Sequence, residues 1–126
     1  SVDFNGNTGP FIQYTYARIN SIFTKSSCKF SDFESNITLD IKEKQIIKKL
    51  MLFPFVIEQA GNQMNPSLIA NYIYDLVKNF NSYYQSTTIL VNNDSVRSLR
   101  LSICDKVGHI IKNSMSLLGI DVPERM

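Results

Sequence analysis

Tyr14 and Arg18 stand four residues apart, Arg97 and Arg100 three apart, and Tyr83 and Tyr84 side by side. Rings and guanidinium groups are the equipment for holding unpaired nucleotides, because rings stack on bases while arginine and lysine track phosphates. Residues three or four apart share a face of a helix, so each spaced pair would present one combined surface. The competing reading is packing: tyrosines of a helical protein are also amphipathic core residues, and arginines are also solvated. Residue type alone leaves both open.

Reaction chemistry has a poorer inventory. The single histidine, His109, lies among Val107, Ile110 and Ile111, which reads as a half-buried helical residue rather than a general base. No Gly-x-Ser-x-Gly turn, phosphate-binding glycine loop or metal-ligand cluster is present. Asn5-Gly6-Asn7-Thr8-Gly9 precedes a helix start, a place able to hold an anion, although two glycines at that spacing read more simply as a turn. Cys28 and Cys104 are isolated from each other and from His109, so they spell no zinc site. A domain of this size needs no disulfide, and reduced thiols in a cytoplasmic protein are expected. The sequence therefore calls for no catalytic residue, no metal and no cofactor within this chain.

The elements that must position the ring and arginine pairs are helical. Thr8-Gly9-Pro10 announces the first, with Thr8 or Gly9 as cap and Pro10 at the opening position. Ile12, Tyr16, Ile19 and Phe23 recur at helical spacing as its core face, while Tyr14, Arg18, Ser21 and Lys25 make a polar, aromatic and basic second face. Residues 26–37 carry no period and read as loop. Asp40 with Glu43 has capping-box spacing, ahead of a stripe of Ile46, Ile47, Leu50 and Met51 with Lys42, Lys44, Lys48 and Lys49 in water. Pro54 ends that helix near Phe53 and opens a short one through Phe55, Val56 and Ile57 to Gly61. Asn65-Pro66 starts the fourth, carrying Leu68, Ile69, Tyr72, Ile73, Leu76 and Phe80 to about Tyr84. Ile89-Leu90-Val91 reads as extended chain packed on the helices. The last helix spans about Ser95 to Leu118, with a stripe of Val96, Leu99, Ile103, Val107, Ile110 and Leu117 and Gly119 as its cap.

About five helices without a repeat predict an all-α bundle. A chain of 126 residues, 44% hydrophobic and 19% charged, suits one domain with one core. No run is long and apolar enough for a helical membrane span. The net charge of +2 permits an RNA partner without demanding one.

Several segments resemble the arginyl-tRNA synthetase family in its C-terminal, DALR-type anticodon-binding domain, a helical domain of class I aminoacyl-tRNA synthetases. Phe4 through Arg18, Leu52-Phe53-Pro54-Phe55-Val56-Ile57, Ile69 through Leu76, Asn79 through Tyr84, Arg97 through Leu101, and Leu117 through Met126 carry the resemblance in order. Only the loops near 26–37 and 85–95 carry none. The family often has an acidic residue where Asn5 or Asn7 stands and a histidine at Tyr16. The resemblance implies residues 1–9 as the end of a linker from a catalytic domain and residues 10–126 as the helical domain. It implies a tRNA-binding role, gripping the anticodon stem and loop in support of an ATP-dependent (and magnesium-dependent) ligase that joins arginine to its tRNA. The partners it implies are arginine tRNA and the catalytic domain of the same chain, in a cytoplasmic, monomeric, membrane-free protein.

On this reading the tRNA-binding residues are Asn7, Thr8, Tyr14, Arg18, Tyr83, Arg97, Arg100 and Met126. Asn7 and Thr8 would hydrogen-bond bases or backbone, Tyr14 would stack or donate its hydroxyl, and Arg18 would meet a phosphate. For Tyr14 the alternative is a core role, and for Arg18 an ion pair within the domain. Met126 would pack on loop nucleotides or fray. A helical module that binds another protein, without RNA, is the competing function class.

Overall fold

Asp40 and Glu43 do what their spacing predicts. In the computed structural model, which describes residues 8–26 and 36–119, Asp40 Oδ1 accepts the Glu43 amide at 2.7 Å. Glu43 Oε1 accepts the Asp40 amide at 3.0 Å, completing a capping box. The helices so started and stopped are α1 (Thr8–Ser26), α2 (Ile41–Met51), α3 (Phe53–Asn62), α4 (Ser67–Ser86) and α5 (Asp94–Leu117). No strand occurs among the described residues. The expected all-α bundle is the observed fold.

Helix α1 begins at Thr8, so Thr8 and Gly9 lie inside its first turn instead of capping it. Pro10 still falls where an amide proton would have no helical acceptor. Asn93 caps α5 through its side chain, accepting the Val96 amide at 3.0 Å. At the far end Gly119 adopts φ +78°, the left-handed conformation that its type favours.

Helix α4 is central and packs against all four others, while α1 and α2 also lean on α5. The shared core holds Ile12 and Ile19 from α1, Ile46 from α2, Leu76 and Phe80 from α4, and Val107, Ile111 and Met115 from α5. A methyl group at Gly108 would stand 3.2 Å from Ile19 Cγ2, so the crossing of α1 and α5 has almost no spare room.

Some periodicity runs past the packing. Met51 and Leu117, both expected in buried stripes, are 74% and 59% exposed. Each is the last residue of its helix, where the apolar period continues without burial. Lys42 and Lys49 depart the other way. Lys42 Nζ bonds Ser86 Oγ at 2.9 Å, and Lys49 pairs with Asp75 at 3.7 Å. His109 is exposed, not half-buried, and its Nδ1 lies 2.9 Å from the Asp105 carbonyl of the preceding turn.

Candidate nucleic-acid interface

The basic, aromatic face of α1 opens on a groove of about 700 Å³. Tyr14, Arg18 and Lys25 line it from α1, Tyr84 from the end of α4, and Thr88 and Leu90 from the segment joining α4 to α5. Tyr14 is 49% exposed, on the solvent side as its spacing predicts.

Arg18 is the centre of the site. Its guanidinium lies 4.5 Å from the ring centre of Tyr84 and 5.0 Å from that of Tyr14. Planar cations over ring faces are held by the ring quadrupole. Arg18 Nη1 donates to Asn81 Oδ1 at 2.6 Å, and Nη2 donates to the Tyr14 hydroxyl at 3.2 Å. Asn81 is itself fixed, because its Nδ2 donates to Thr15 Oγ1 at 2.8 Å and to the Val77 carbonyl at 2.9 Å. Buried amides with every polar atom engaged do not rotate freely, so the guanidinium is pre-aimed. Among the described residues no carboxylate lines the groove. Arg18 has no acidic partner among the described residues. The groove thus offers two ring faces and two cations, Arg18 and Lys25, to a ligand with bases and phosphates.

Tyr83 requires a correction. It is fully buried, and its hydroxyl donates to Glu43 Oε2 at 2.6 Å. Burial first, and then the bond to Glu43, push its ionisation well above the usual tyrosine value. A side chain so placed offers no surface to a ligand. Its neighbour Tyr84, about 100° around the helix, holds the groove position. The signal was present: Ile69, Ile73, Leu76, Phe80 and Tyr83 follow a four-three-four-three spacing, which is a core stripe.

Arg97 and Arg100 also face inward more than expected. Arg100 Nη1 donates to the Thr88 carbonyl at 2.6 Å, and its Nε lies 3.4 Å from Glu43 Oε2. That Nε makes no well-formed hydrogen bond, so the pair is a charge contact. Arg97 Nη1 donates to the Val91 carbonyl at 3.0 Å and sits 3.3 Å from that of Asn92. Its Nη2 meets Asp94 Oδ1 at 2.5 Å. Both guanidinium groups are therefore spent largely on the groove's own wall. Thr8 is half-buried at the start of α1 and does not line the groove. Asn7 and Met126 lie outside the described residues. Asn81 and Lys25 were not singled out from sequence as contacts. Asn81 carried no signal, since its role needs a partner 63 residues away.

Among the described residues no group of three or more His, Cys, Asp or Glu is placed to hold a metal ion. Cys104 is buried, and burial pushes its thiol up to about 12, an inert rather than a nucleophilic sulfur. No helix among the described residues is long and apolar enough to cross a membrane.

A family model described as the DALR anticodon binding domain matches residues 12–126. Among curated relatives, an arginine–tRNA ligase of Flavobacterium psychrophilum is 50% identical over the whole of this chain and 21% of its own length. One from Phocaeicola vulgatus is 48% identical over the whole chain and 22% of its length. The chain spans about a fifth of the curated relatives it matches. Of the solved structures, the Thermus thermophilus arginyl-tRNA synthetase superposes over 98% of this chain and 22% of its own, with TM-score 0.87 and 30% identity. The Plasmodium falciparum arginyl-tRNA synthetase does so over 98% of this chain and 22% of its own, with TM-score 0.81 and 31% identity.

Proposed function

The chain belongs to the DALR anticodon binding domain family, and on that premise we propose that its groove holds unpaired nucleotides of the anticodon loop of an arginine tRNA. The observation that carries this reading is the Arg18 guanidinium set between the rings of Tyr14 and Tyr84 and fixed by Asn81. A base stacks on an exposed tyrosine face, and Arg18 with Lys25 meets the phosphates on either side. Asn7, Thr8 and Met126 would add contacts from the two ends of the chain.

The parent protein on this reading is a cytoplasmic, monomeric arginine–tRNA ligase. On the same reading ATP, magnesium and arginine belong to the catalytic domain of that ligase. This domain selects and anchors the tRNA. The names of the relatives, all arginine–tRNA ligases or synthetases, support that assignment.

Filter-binding titrations of the intact protein with arginine tRNA and with a non-cognate tRNA test it. Stacking contributes about 1–3 kcal/mol per base, so Tyr84→Ala or Tyr14→Ala weakens cognate binding roughly five- to 150-fold. Two phosphates met by Arg18 and Lys25 add about −1.4 to the slope of log K against log salt. Equal affinity for both tRNAs, untouched by either alanine variant in a folded protein, would dismiss the groove as the RNA site.

A further inference from the structure

The segment from Thr87 to Asn92, between α4 and α5, forms one wall of the groove, yet it has neither helix nor strand to hold it. Among the described residues its one internal backbone bond runs from the Val91 amide to the Ile89 carbonyl, at 3.0 Å. Its other fastenings come from α5. Arg100 takes the Thr88 carbonyl at 2.6 Å, and Arg97, one turn earlier, takes those of Val91 and Asn92 at 3.0 and 3.3 Å. Between these grips Ile89 is buried as an apolar peg. Each clamping cation has its own carboxylate, Glu43 for Arg100 and Asp94 for Arg97. Their charges are thus offset inside the domain, whereas Arg18 and Lys25 have no acidic partner among the described residues.

We propose that Arg97 and Arg100 are positioning residues: a two-point guanidinium clamp on backbone carbonyls that sets the wall of the RNA groove, not contacts to phosphate. This rests on the groove being the RNA site. A guanidinium suits the task because its rigid fork can bond two carbonyls and a carboxylate together, which the single ammonium of lysine cannot do in the same geometry. The wall carries Thr88 and Leu90 into the groove opposite Tyr14 and Arg18, so slack in the clamp changes the width offered to a base.

Arg97→Lys and Arg97→Gln, made in the intact protein, separate the two roles, because Asp94 at the surface tolerates the loss of its partner. Cognate tRNA affinity is titrated across a range of salt, and amide hydrogen exchange is followed over residues 87–92. A clamp predicts that both variants lose about three- to tenfold in affinity, the equivalent of one hydrogen-bonding group. It also predicts an unchanged salt slope and faster exchange confined to the wall. Arg100→Lys follows the same pattern. A phosphate contact predicts instead that Arg97→Lys binds as the wild type does while Arg97→Gln flattens the slope by about 0.7, and that result overturns the clamp. Unaltered affinity in all three variants also overturns it. Failure of the wild-type protein to bind the tRNA at all overturns the groove reading itself, a different outcome from either.

Discussion

Replacing Tyr83 with phenylalanine deletes one oxygen from the interior and leaves the ring's volume in place. That oxygen donates to Glu43 Oε2 at 2.6 Å, in a position with no exposure to water. A hydrogen bond to a charged acceptor contributes about 1.5–3 kcal/mol net, because the buried carboxylate cannot recruit water in exchange. Arg100 Nε stands 3.4 Å from the same oxygen and can close part of the gap. The expected loss therefore falls in the lower half of that range, about 1.5–2 kcal/mol. For a chain of 126 residues an entropy of unfolding near 2.1 cal/mol/K per residue turns this into a fall in Tm of roughly 6–8 °C. Urea unfolding followed by circular dichroism measures the loss, beside a tRNA titration under conditions where both proteins stay folded. Tyr83→Phe should shift the urea midpoint and leave affinity alone. Tyr84→Ala should lower both, since its ring lines the groove and also packs on Phe80. An unmoved midpoint in Tyr83→Phe would show that the hydroxyl is not locked on Glu43. A loss of tRNA affinity at full stability would return Tyr83 to the RNA-facing set and refute the reasoning.

The crossing of α1 and α5 gives a second test: Gly108→Val should destabilise by about 1–3 kcal/mol through overpacking against Ile19, whereas Gly108→Ala should stay within about 1 kcal/mol because improved helix propensity offsets a slight overlap. A valine variant as stable as the wild type would show that the helices have room to part. Alkali gives a third. Burial pushes Tyr72 from 10.0 up to about 12 and Cys104 from 9.0 up to about 12. Above pH 9 the unfolded chain therefore sheds protons that the native protein keeps, and stability falls as pH rises. This contribution should be complete below about pH 9 and lost by about pH 12, visible as urea midpoints that are level between pH 7 and 9 and then decline. A level profile through pH 11 would contradict the burial of both groups.

Sequence by itself determined the helical elements, because caps, prolines and apolar period are local physics. Asp40 with Glu43, Asn65-Pro66 and Gly119 marked helix ends within a few residues. The 3.6-residue period placed Ile12, Ile73 and Val107 inside and Tyr14 outside. The family was legible as well, since six matching segments in order are a property of the chain and not of its folding. Tertiary structure alone decided what the rings and cations meet. The helical period puts Tyr83 on the core stripe and Tyr84 off it, but only the packing of α4 on α2 and α5 joins Tyr83 to Glu43 and sets Tyr84 beside Arg18. An arginine, likewise, carries the same charge whether it meets a phosphate or a carbonyl. Arg97 and Arg100 fasten the 87–92 wall because that segment folds back across the first turns of α5, and Arg18 gains its aim from Asn81, far off in sequence and adjacent only once α1 lies on α4.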